Sequence, residues 1–275
     1  MTQGCLLFAH NGAIDYGSQA VLAARLAIKH LGVPVSLVTD QATLDSISLP
    51  LPFDKIILTP KPNTTNWRYL SNGDTSESVE FINSNRASAY DLTPYDRTLL
   101  IDTDFLILSN TLNKYWNDAS DFLITDRMID LTYLGQAQTD YVISPYSINM
   151  LWATNIMFTK NHNTQLIFDM VEHVKDNYLY YSRLYDFSPI QYRNDFAFSI
   201  ACHTLGNYGI LPSPIFIRDV DLLVKIDKTQ LLFLLKDYNK QDNYLLLKTQ
   251  GQDIHFMNKR NLLDNLDSLL ELAND

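Results

Sequence analysis

The sequence predicts an α/β protein in which a mostly parallel central sheet carries helices on both faces. Short apolar runs of strand length alternate with helical patterns through the first hundred residues, as in successive β-α-β units. No repeat, charge block or low-complexity linker interrupts the 275 residues. We therefore expect one continuous domain, 1–275, with two halves at 1–110 and 111–275.

The first β-α-β unit is the best defined. A short apolar run at 5–9 predicts a strand, and a helical pattern follows over 16–31. Gly32 and Pro34 end that helix, and the apolar run 35–38 predicts a second buried strand. One face of the helix is expected to be buried, and it carries Val21, Ala24, Ile28 and Leu31.

The later elements continue the alternation. Further strands are predicted at 56–58, at 122–125, at 156–158 and from residue 99, and helices at 77–90, 165–177, 195–205 and 262–272. The segment 59–78 is rich in Pro, Asn, Thr and Ser, so we expect a loop that serves as a mobile flap.

Composition limits the class of protein. No apolar run approaches the roughly 20 residues of a membrane span, and no basic region precedes the run at 5–9, so we expect a cytoplasmic protein without an anchor. Cys5 and Cys202 are too few and too far apart for a disulfide framework or a zinc cluster, which predicts free core cysteines. A net charge of −10 disfavours broad contact with nucleic acid but does not bear on a small local basic groove.

Phosphate-binding loops rich in glycine are absent from the sequence. Neither Gly-x-Gly-x-x-Gly nor Gly-x-x-x-x-Gly-Lys occurs, so backbone amides of such a loop cannot cradle a phosphate. An acidic chain that binds a diphosphate must then bring a cation to offset the repulsion.

An apolar strand beginning at Leu99 delivers two carboxylates, Asp102 and Asp104, at its carboxyl end. Hard oxygen ligands in this place suit Mg²⁺ or Mn²⁺. The pattern alone proves little, because 27 aspartates give roughly two to three Asp-x-Asp pairs by chance. The chain has two, the other being Asp219-Val220-Asp221, so the surrounding residues must decide between them.

Those surroundings resemble the GT-A fold glycosyltransferases, and most of all their retaining, glycogenin-like and galactosyltransferase-like group. The resemblance spans most of the chain and rests on the order of its elements. In that order stand Ile14-Asp15-Tyr16 before a helix, Arg86 sixteen positions before the pair, Asp102-Thr103-Asp104, a later Asp, and His255-Phe256-Met257-Asn258-Lys259.

The resemblance implies a metal and nucleotide site. Asp102, Asp104 and His255 would bind Mn²⁺ or Mg²⁺, and Lys259 would hold the leaving phosphate of a UDP-sugar. The residues implied on the nucleotide side are Tyr16, which would stack on uracil, Asp40, Arg86, Thr103 and Lys259. Each has a simpler interpretation from its own position: Tyr16 as a packing residue, Asp40 as a helix N-cap, Arg86 as a solvated arginine and His255 as a structural histidine.

The sugar and acceptor side is less familiar. Asp126 resembles the carboxylate that contacts the donor sugar, and Asp195 resembles the Asp of an Asp-Gln pair, although Phe196 replaces the Gln. Asn155 falls near a position at which the family has glycine, and Asn258 stands where the family has a second glycine. The family usually ends this motif with Lys-Pro-Trp, whereas this chain has Lys259-Arg260-Asn261. An aromatic-rich stretch at 178–195 would either form an acceptor platform or pack a surface loop on the core.

The implied function is a metal-dependent glycosyltransferase that moves a sugar from a UDP-sugar to an acceptor hydroxyl with retention. The acceptor, whether glycan, protein or small molecule, is left open. Three alternatives remain: a sugar-1-phosphate nucleotidyltransferase, disfavoured by the missing Gly-rich loop, a glycosyltransferase of modified nucleic-acid bases, and a non-catalytic binding protein of the same fold.

Overall fold

The computed structural model describes most of the chain. The described residues are 1–62, 66–71, 76–80, 82, 85–130, 142–217, 222–226, 231–236, 244–249 and 251–274. The second aspartate pair, Asp219 and Asp221, lies outside them.

The strands and helices follow in chain order. The strands are β1 Gln3–Phe8, β2 Val35–Thr39, β3 Lys55–Leu58, β4 Trp67–Ser71, β5 Ser76–Glu80, β6 Arg97–Ile101, β7 Phe105–Leu106, β8 Phe122–Thr125, β9 Ile129–Asp130, β10 Trp152–Thr159, β11 Gly209–Leu211, β12 Ile215–Ile217, β13 Leu222–Ile226, β14 Leu231–Lys236, β15 Tyr244–Thr249 and β16 Ile254–Phe256. The α-helices are α1 Tyr16–Leu31, α2 Gln41–Ser46, α3 Ala89–Leu92, α4 His162–Asp176, α5 Tyr178–Leu184, α6 Asn194–Leu205, α7 Lys259–Asp264 and α8 Leu266–Asn274.

The central sheet has seven strands in the order β11-β8-β10-β6-β1-β2-β3. All neighbours are parallel except β10, which runs antiparallel to both β6 and β8. The carboxyl ends of β1, β2, β6 and β8 therefore lie at one edge, where β10 begins. This arrangement confirms the mostly parallel α/β fold.

Helices cover both faces of the sheet, as predicted. In β1, Leu6 and Phe8 pack in a core with residues of α4 and α6, whereas Cys5 and Leu7 pack in a second core with the alanines of α1. This division follows from the two-residue period of a strand, which sends alternate side chains to opposite faces.

Helix α1 begins and ends where the sequence predicts. The Asp15 side chain accepts a hydrogen bond from the Ser18 N–H, and Gly32 ends the helix in the left-handed conformation at φ 67°. The prediction of a single buried face is wrong, because Ile28 is 38% exposed while most of the rest of the helix is buried. Helix α1 is buried on two sides, since Leu22 and Leu26 also pack in a third core with α8.

Two other predicted elements differ in the structure. The predicted helix at 77–90 is wrong over its first part, because β5 pairs with β4 in an antiparallel hairpin and a short 3-10 helix, Arg86–Ser88, precedes α3. Part of the predicted loop at 59–78 is therefore also strand. The predicted helix at 262–272 is two helices, α7 and α8, separated at Asn265.

A second sheet brings the end of the chain back to its middle. It has four strands in the order β7-β16-β12-β9, with His255 of β16 opposite Phe105 of β7. A third sheet, β13-β14-β15, packs Phe233 against Phe256. The division into halves at 110 remains a prediction, but β7 and β16 join the two halves in one sheet.

Two further sequence predictions concern cysteines and membranes. Cys5 and Cys202 are free and buried, as predicted, and burial raises the pKa of the Cys202 thiol to about 12. In the part of the chain that the structure describes, no helix is both long enough and apolar enough to span a bilayer.

We expect Gly4→Ala to destabilise the fold. A Cβ at Gly4 would lie 2.4 Å from the ring of Tyr95, which is buried and whose hydroxyl bonds to Ser36 Oγ at 2.7 Å. Overpacking of this kind costs about 1–3 kcal/mol, measurable by urea unfolding. Adding Tyr95→Ala should make the double variant lose less than the sum of the two single losses, and strict additivity would contradict the contact.

Candidate functional site

The turn that carries the aspartate pair is fixed at both ends. The Asp102 N–H donates to the Thr154 carbonyl of β10 at 2.9 Å, and the Phe256 N–H of β16 donates to the Asp104 carbonyl at 2.9 Å. The turn therefore joins the central sheet to the second sheet. Each carboxylate faces residues that are distant in sequence.

Asp102, Asp104 and His255 form a potential metal-binding triad. One ligand atom from each of them lies within 4.8 Å of the others. His255 Nε2 is 3.6 Å from Asp104 Oδ1, and its Nδ1 is 3.1 Å from the Thr154 hydroxyl. A contact at the second ring nitrogen fixes the orientation of the imidazole, as is usual for a metal-binding histidine.

Two buried cations accompany the triad. Lys259 Nζ is 2.5 Å from Asp104 Oδ2, and the Arg86 guanidinium pairs with Asp102 Oδ1 and donates to the Ala153 carbonyl. Both Arg86 and Lys259 are buried, so the interpretation of Arg86 as a solvated arginine is wrong. We call Arg86, Asp102, Asp104, His255 and Lys259 the charged cluster.

The two carboxyl groups of the cluster have pKa values that are shifted in opposite directions. Burial alone would raise the pKa of Asp104, but the Lys259 ammonium and His255 outweigh it and hold the pKa well below its ordinary range. Burial raises the pKa of Asp102, and Arg86 opposes this only in part. Asp104 is thus the more firmly ionised carboxylate.

Gln19 ties the cluster to helix α1 and was missed by the sequence interpretation. Its Oε1 accepts from the Thr103 hydroxyl at 3.2 Å, and its Nε2 donates to the Lys259 carbonyl at 3.4 Å. Thr103 is buried, so its side chain supports the turn. The sequence did contain a sign of this role, because Gln19 is a polar residue among the small and apolar residues at the start of α1.

Asp195 reaches the cluster through strand β10. Its Oδ1 accepts from the Ala153 N–H at 2.9 Å, and its Oδ2 accepts from Arg193 at 3.1 Å. The carbonyl of Ala153 is the one that accepts from Arg86. Asp195 and Arg86 therefore bond to the N–H and to the carbonyl of the same residue of β10.

Asp126 is not joined to the cluster in this way. It follows β8 at the same edge of the sheet, and its Oδ2 is 3.8 Å from Arg127 Nε. The preceding Thr125 hydroxyl donates to Asn155 Oδ1 at 2.5 Å. Asn155 is a buried residue of β10. It lies near the position at which the resembled family has a glycine.

Tyr16 and Asp40 lie at the starts of helices along the same edge. Tyr16 is the first residue of α1 and is buried in the core beneath that helix. Asp40 is the N-cap of α2, because its side chain accepts from the Thr43 N–H at 3.0 Å and from the Thr43 hydroxyl at 2.7 Å. Among the described residues, neither side chain is bonded to the charged cluster.

One departure from the resembled motifs has a structural explanation. Asn258 caps α7 by accepting from the Asn261 N–H at 3.1 Å, and its φ of −75° suits any residue, so glycine is not needed.

Most aromatic side chains of the 178–195 stretch pack on the core, which favours packing over an acceptor platform. These are Tyr178, Tyr181, Tyr185, Phe187 and Tyr192.

Comparison with known proteins gives a match in fold. No family model matches the sequence, and no curated protein matches it. Among solved structures, the galactosyltransferase LgtC in complex with donor and acceptor sugar analogs is 12% identical, with a TM-score of 0.55, over 98% of this chain and 95% of that one. The chain therefore has the GT-A glycosyltransferase fold.

A second glycosyltransferase structure also matches at lower similarity. GlyE of Streptococcus pneumoniae TIGR4 is 8% identical, with a TM-score of 0.42, over 77% of this chain. This chain spans 45% of the GlyE chain.

Variants of Asp40 test its capping role. Burial would raise the pKa of Asp40, but the hydrogen bonds from Thr43 outweigh it, so the pKa lies below the ordinary value. Asp40→Ala should lose about 1 kcal/mol of stability at pH 7, and Asp40→Asn should lose only a few tenths of that.

The pH dependence of the same variants has a defined sign. Because the folded pKa of Asp40 is lowered, its contribution is complete above the unfolded pKa, about 4, and is lost as pH falls through the folded value. The wild-type protein should therefore lose stability relative to Asp40→Asn below about pH 4 in urea unfolding. An Asp40→Ala variant as stable as wild type at pH 7 would exclude the cap.

Proposed function

We propose that this protein is a metal-dependent glycosyltransferase that transfers a sugar from a UDP-sugar to an acceptor hydroxyl, with retention of configuration. The observation that carries the proposal is the charged cluster, in which two carboxylates, an imidazole and two buried cations meet at the carboxyl edge of a GT-A sheet. In open α/β sheets, ligands bind at this edge. Uridine and retention rest on the sequence resemblance.

The donor set fits a divalent cation. Carboxylate oxygens suit Mg²⁺ and Mn²⁺, and imidazole adds affinity for Mn²⁺. Asp102, Asp104 and His255 would hold the ion, with Thr154 orienting the histidine. When bound, the ion would supply positive charge to the diphosphate of the donor.

Lys259 and Arg86 would stabilise the leaving group. Both cations are buried within contact of the aspartates, so neither would need to be desolvated again when the diphosphate arrives. Fixed positive charge in a site shielded from water stabilises negative charge as it develops on the departing phosphate. Removing one partner of this kind often slows a reaction about a hundredfold.

The remaining predicted residues would orient the substrates. Tyr16 and Asp40 stand at the starts of α1 and α2, where base and ribose would lie, and Thr103 supports the turn between the carboxylates. Asp195 and Asp126 would align the donor sugar and the acceptor. No residue is assigned as a covalent nucleophile, because a same-face transfer assisted by the departing phosphate needs none.

The match to LgtC supports this assignment at the level of the fold. That structure was determined with donor and acceptor sugar analogs, and it matches nearly the full length of this chain. Glycosyl transfer is therefore the reaction class that the fold and the charged cluster favour together.

One observation favours a second candidate, a non-catalytic binding protein. Lys259 and Arg86 already neutralise both aspartates, so the cluster is electrostatically satisfied without an ion. Sugar transfer to modified nucleic-acid bases would need only a different acceptor, but the net charge of −10 opposes it. The two candidates differ in one measurable property. A glycosyltransferase should bind a divalent cation and a nucleotide together, whereas the non-catalytic protein should not.

Thermal unfolding with Mn²⁺ and a panel of nucleoside diphosphates and sugar nucleotides tests the proposal. Ligand at 100 times its dissociation constant should add about 2.7 kcal/mol of stability, and we expect this only for uridine nucleotides with Mn²⁺. Asp104→Asn should lose the shift. Asp169→Asn, at an exposed position on α4, is the matched control and should keep it.

Either of two results would contradict the proposal. If no nucleotide stabilises the protein with Mn²⁺ or Mg²⁺, the assigned site is wrong although the fold remains. If Asp104→Asn keeps the full shift, the aspartate does not hold the ion.

A further variant examines the support of His255. Thr154→Val keeps the shape of the side chain but removes the hydroxyl next to Nδ1, so we expect Mn²⁺ affinity in the presence of UDP to fall about 10- to 100-fold. Calorimetric titration measures the change. Thr204→Val, on the exposed side of α6, should leave the affinity unchanged.

A further inference from the structure

The ammonium of Lys259 contacts Asp104, one of the three residues that would hold the cation. Its Nζ is 2.5 Å from Asp104 Oδ2, while the other oxygen of that carboxylate faces His255. Asp104 and Lys259 are both almost completely buried. The contact is therefore part of the packed interior and is not a weak pair in solvent.

The backbone that carries this ammonium is also fixed. Lys259 is the first residue of α7, whose N-cap Asn258 is buried, and the Lys259 carbonyl accepts from Gln19 of α1. The four-carbon stem of the side chain still allows its ammonium to exchange one partner for another.

The charged cluster is balanced in this state. Arg86 pairs with Asp102 as Lys259 pairs with Asp104, so two positive charges oppose two negative ones. A divalent cation approaching Asp104 would meet the ammonium at close range. A balanced cluster of this kind attracts a free divalent cation weakly.

A diphosphate would change this balance. Its negative charges would attract the ammonium of Lys259 away from Asp104, and the carboxylate would then need a new cation. The carboxylate released in this way would be available to the metal at the moment when the substrate is present.

We propose that Lys259 is an internal counter-ion that makes binding of the divalent cation depend on the diphosphate. The inference rests on the proposed function and adds regulation to the same site. The ammonium of Lys259 would thus contact Asp104 in the free protein and the diphosphate in the loaded one. Metal and nucleoside diphosphate should bind with mutual enhancement, typically about 5- to 150-fold for coupled sites.

The test is a Mn²⁺ titration of the full chain, with free Mn²⁺ measured by electron paramagnetic resonance. Without nucleotide, wild type should bind Mn²⁺ weakly, and UDP should strengthen the binding. Lys259→Met removes the charge but keeps a side chain of similar length. In the absence of nucleotide, this variant should bind Mn²⁺ at least about tenfold more tightly than wild type does, which lies within the usual range of coupling between sites. A merely structural role of Lys259 would predict weaker binding instead.

Two other variants serve as controls. Lys259→Arg keeps a positive charge at the site and should bind Mn²⁺ alone as weakly as wild type. Lys160→Met makes the same change near the opposite edge of the sheet, where Nζ donates to the Thr93 carbonyl, and should leave Mn²⁺ binding unchanged.

The outcomes separate this inference from the proposed function. If wild type binds Mn²⁺ with UDP but Lys259→Met does not bind Mn²⁺ alone more tightly, the counter-ion role is overturned and the function stands. If wild type binds neither Mn²⁺ nor UDP in any order, the proposed function fails. Should Lys259→Met be unstable, Mn²⁺ alone should raise its thermal midpoint more than that of wild type, and a smaller rise would equally overturn the role.

Discussion

Two carboxylates at the end of a central strand, Asp104 buried and Asp102 half-buried, are the constraint on which the rest of the site depends. An ionised aspartate in a protein interior needs an opposite charge and hydrogen bonds, because removal from water is otherwise too costly. Asp102 and Asp104 obtain these from Arg86 and Lys259, which lie sixteen residues before Asp102 and 155 residues after Asp104. The fold must therefore bring three distant segments to one edge of the sheet.

The architecture meets that requirement through strand pairing. The turn after β6 is bonded on one side to β10 of the central sheet and on the other to β16 of the second sheet. Strand β16 carries His255, and α7 starts with Lys259 three residues after β16 ends. Helix α1 closes the arrangement, since Gln19 contacts both the turn and the start of α7. Backbone pairing thus positions the charges before any ligand is involved.

Most of the sheet and its helices could be predicted from local patterns. Helix α1, β8 and α6 lie where periodicity, caps and apolar runs place them, because their signals depend on nearby residues. The hairpin β4-β5 could not be predicted, since its pairing overrides a helical pattern. Asp40 and Tyr16 were identified from their positions and the family resemblance, and the structure shows Asp40 as a cap and Tyr16 as buried. Their contact with a nucleotide remains a prediction.

The sequence by itself determined the fold class and supplied the residues proposed for the candidate site. Apolar periodicity and the order of charged residues carry that information along the chain. Only the tertiary structure decided that Arg86 and Lys259 neutralise the aspartates, that Thr154 orients His255, and that Gln19 connects the parts. These relations depend on which distant strands and helices meet, and on the cost of burying charge there, so no local pattern records them.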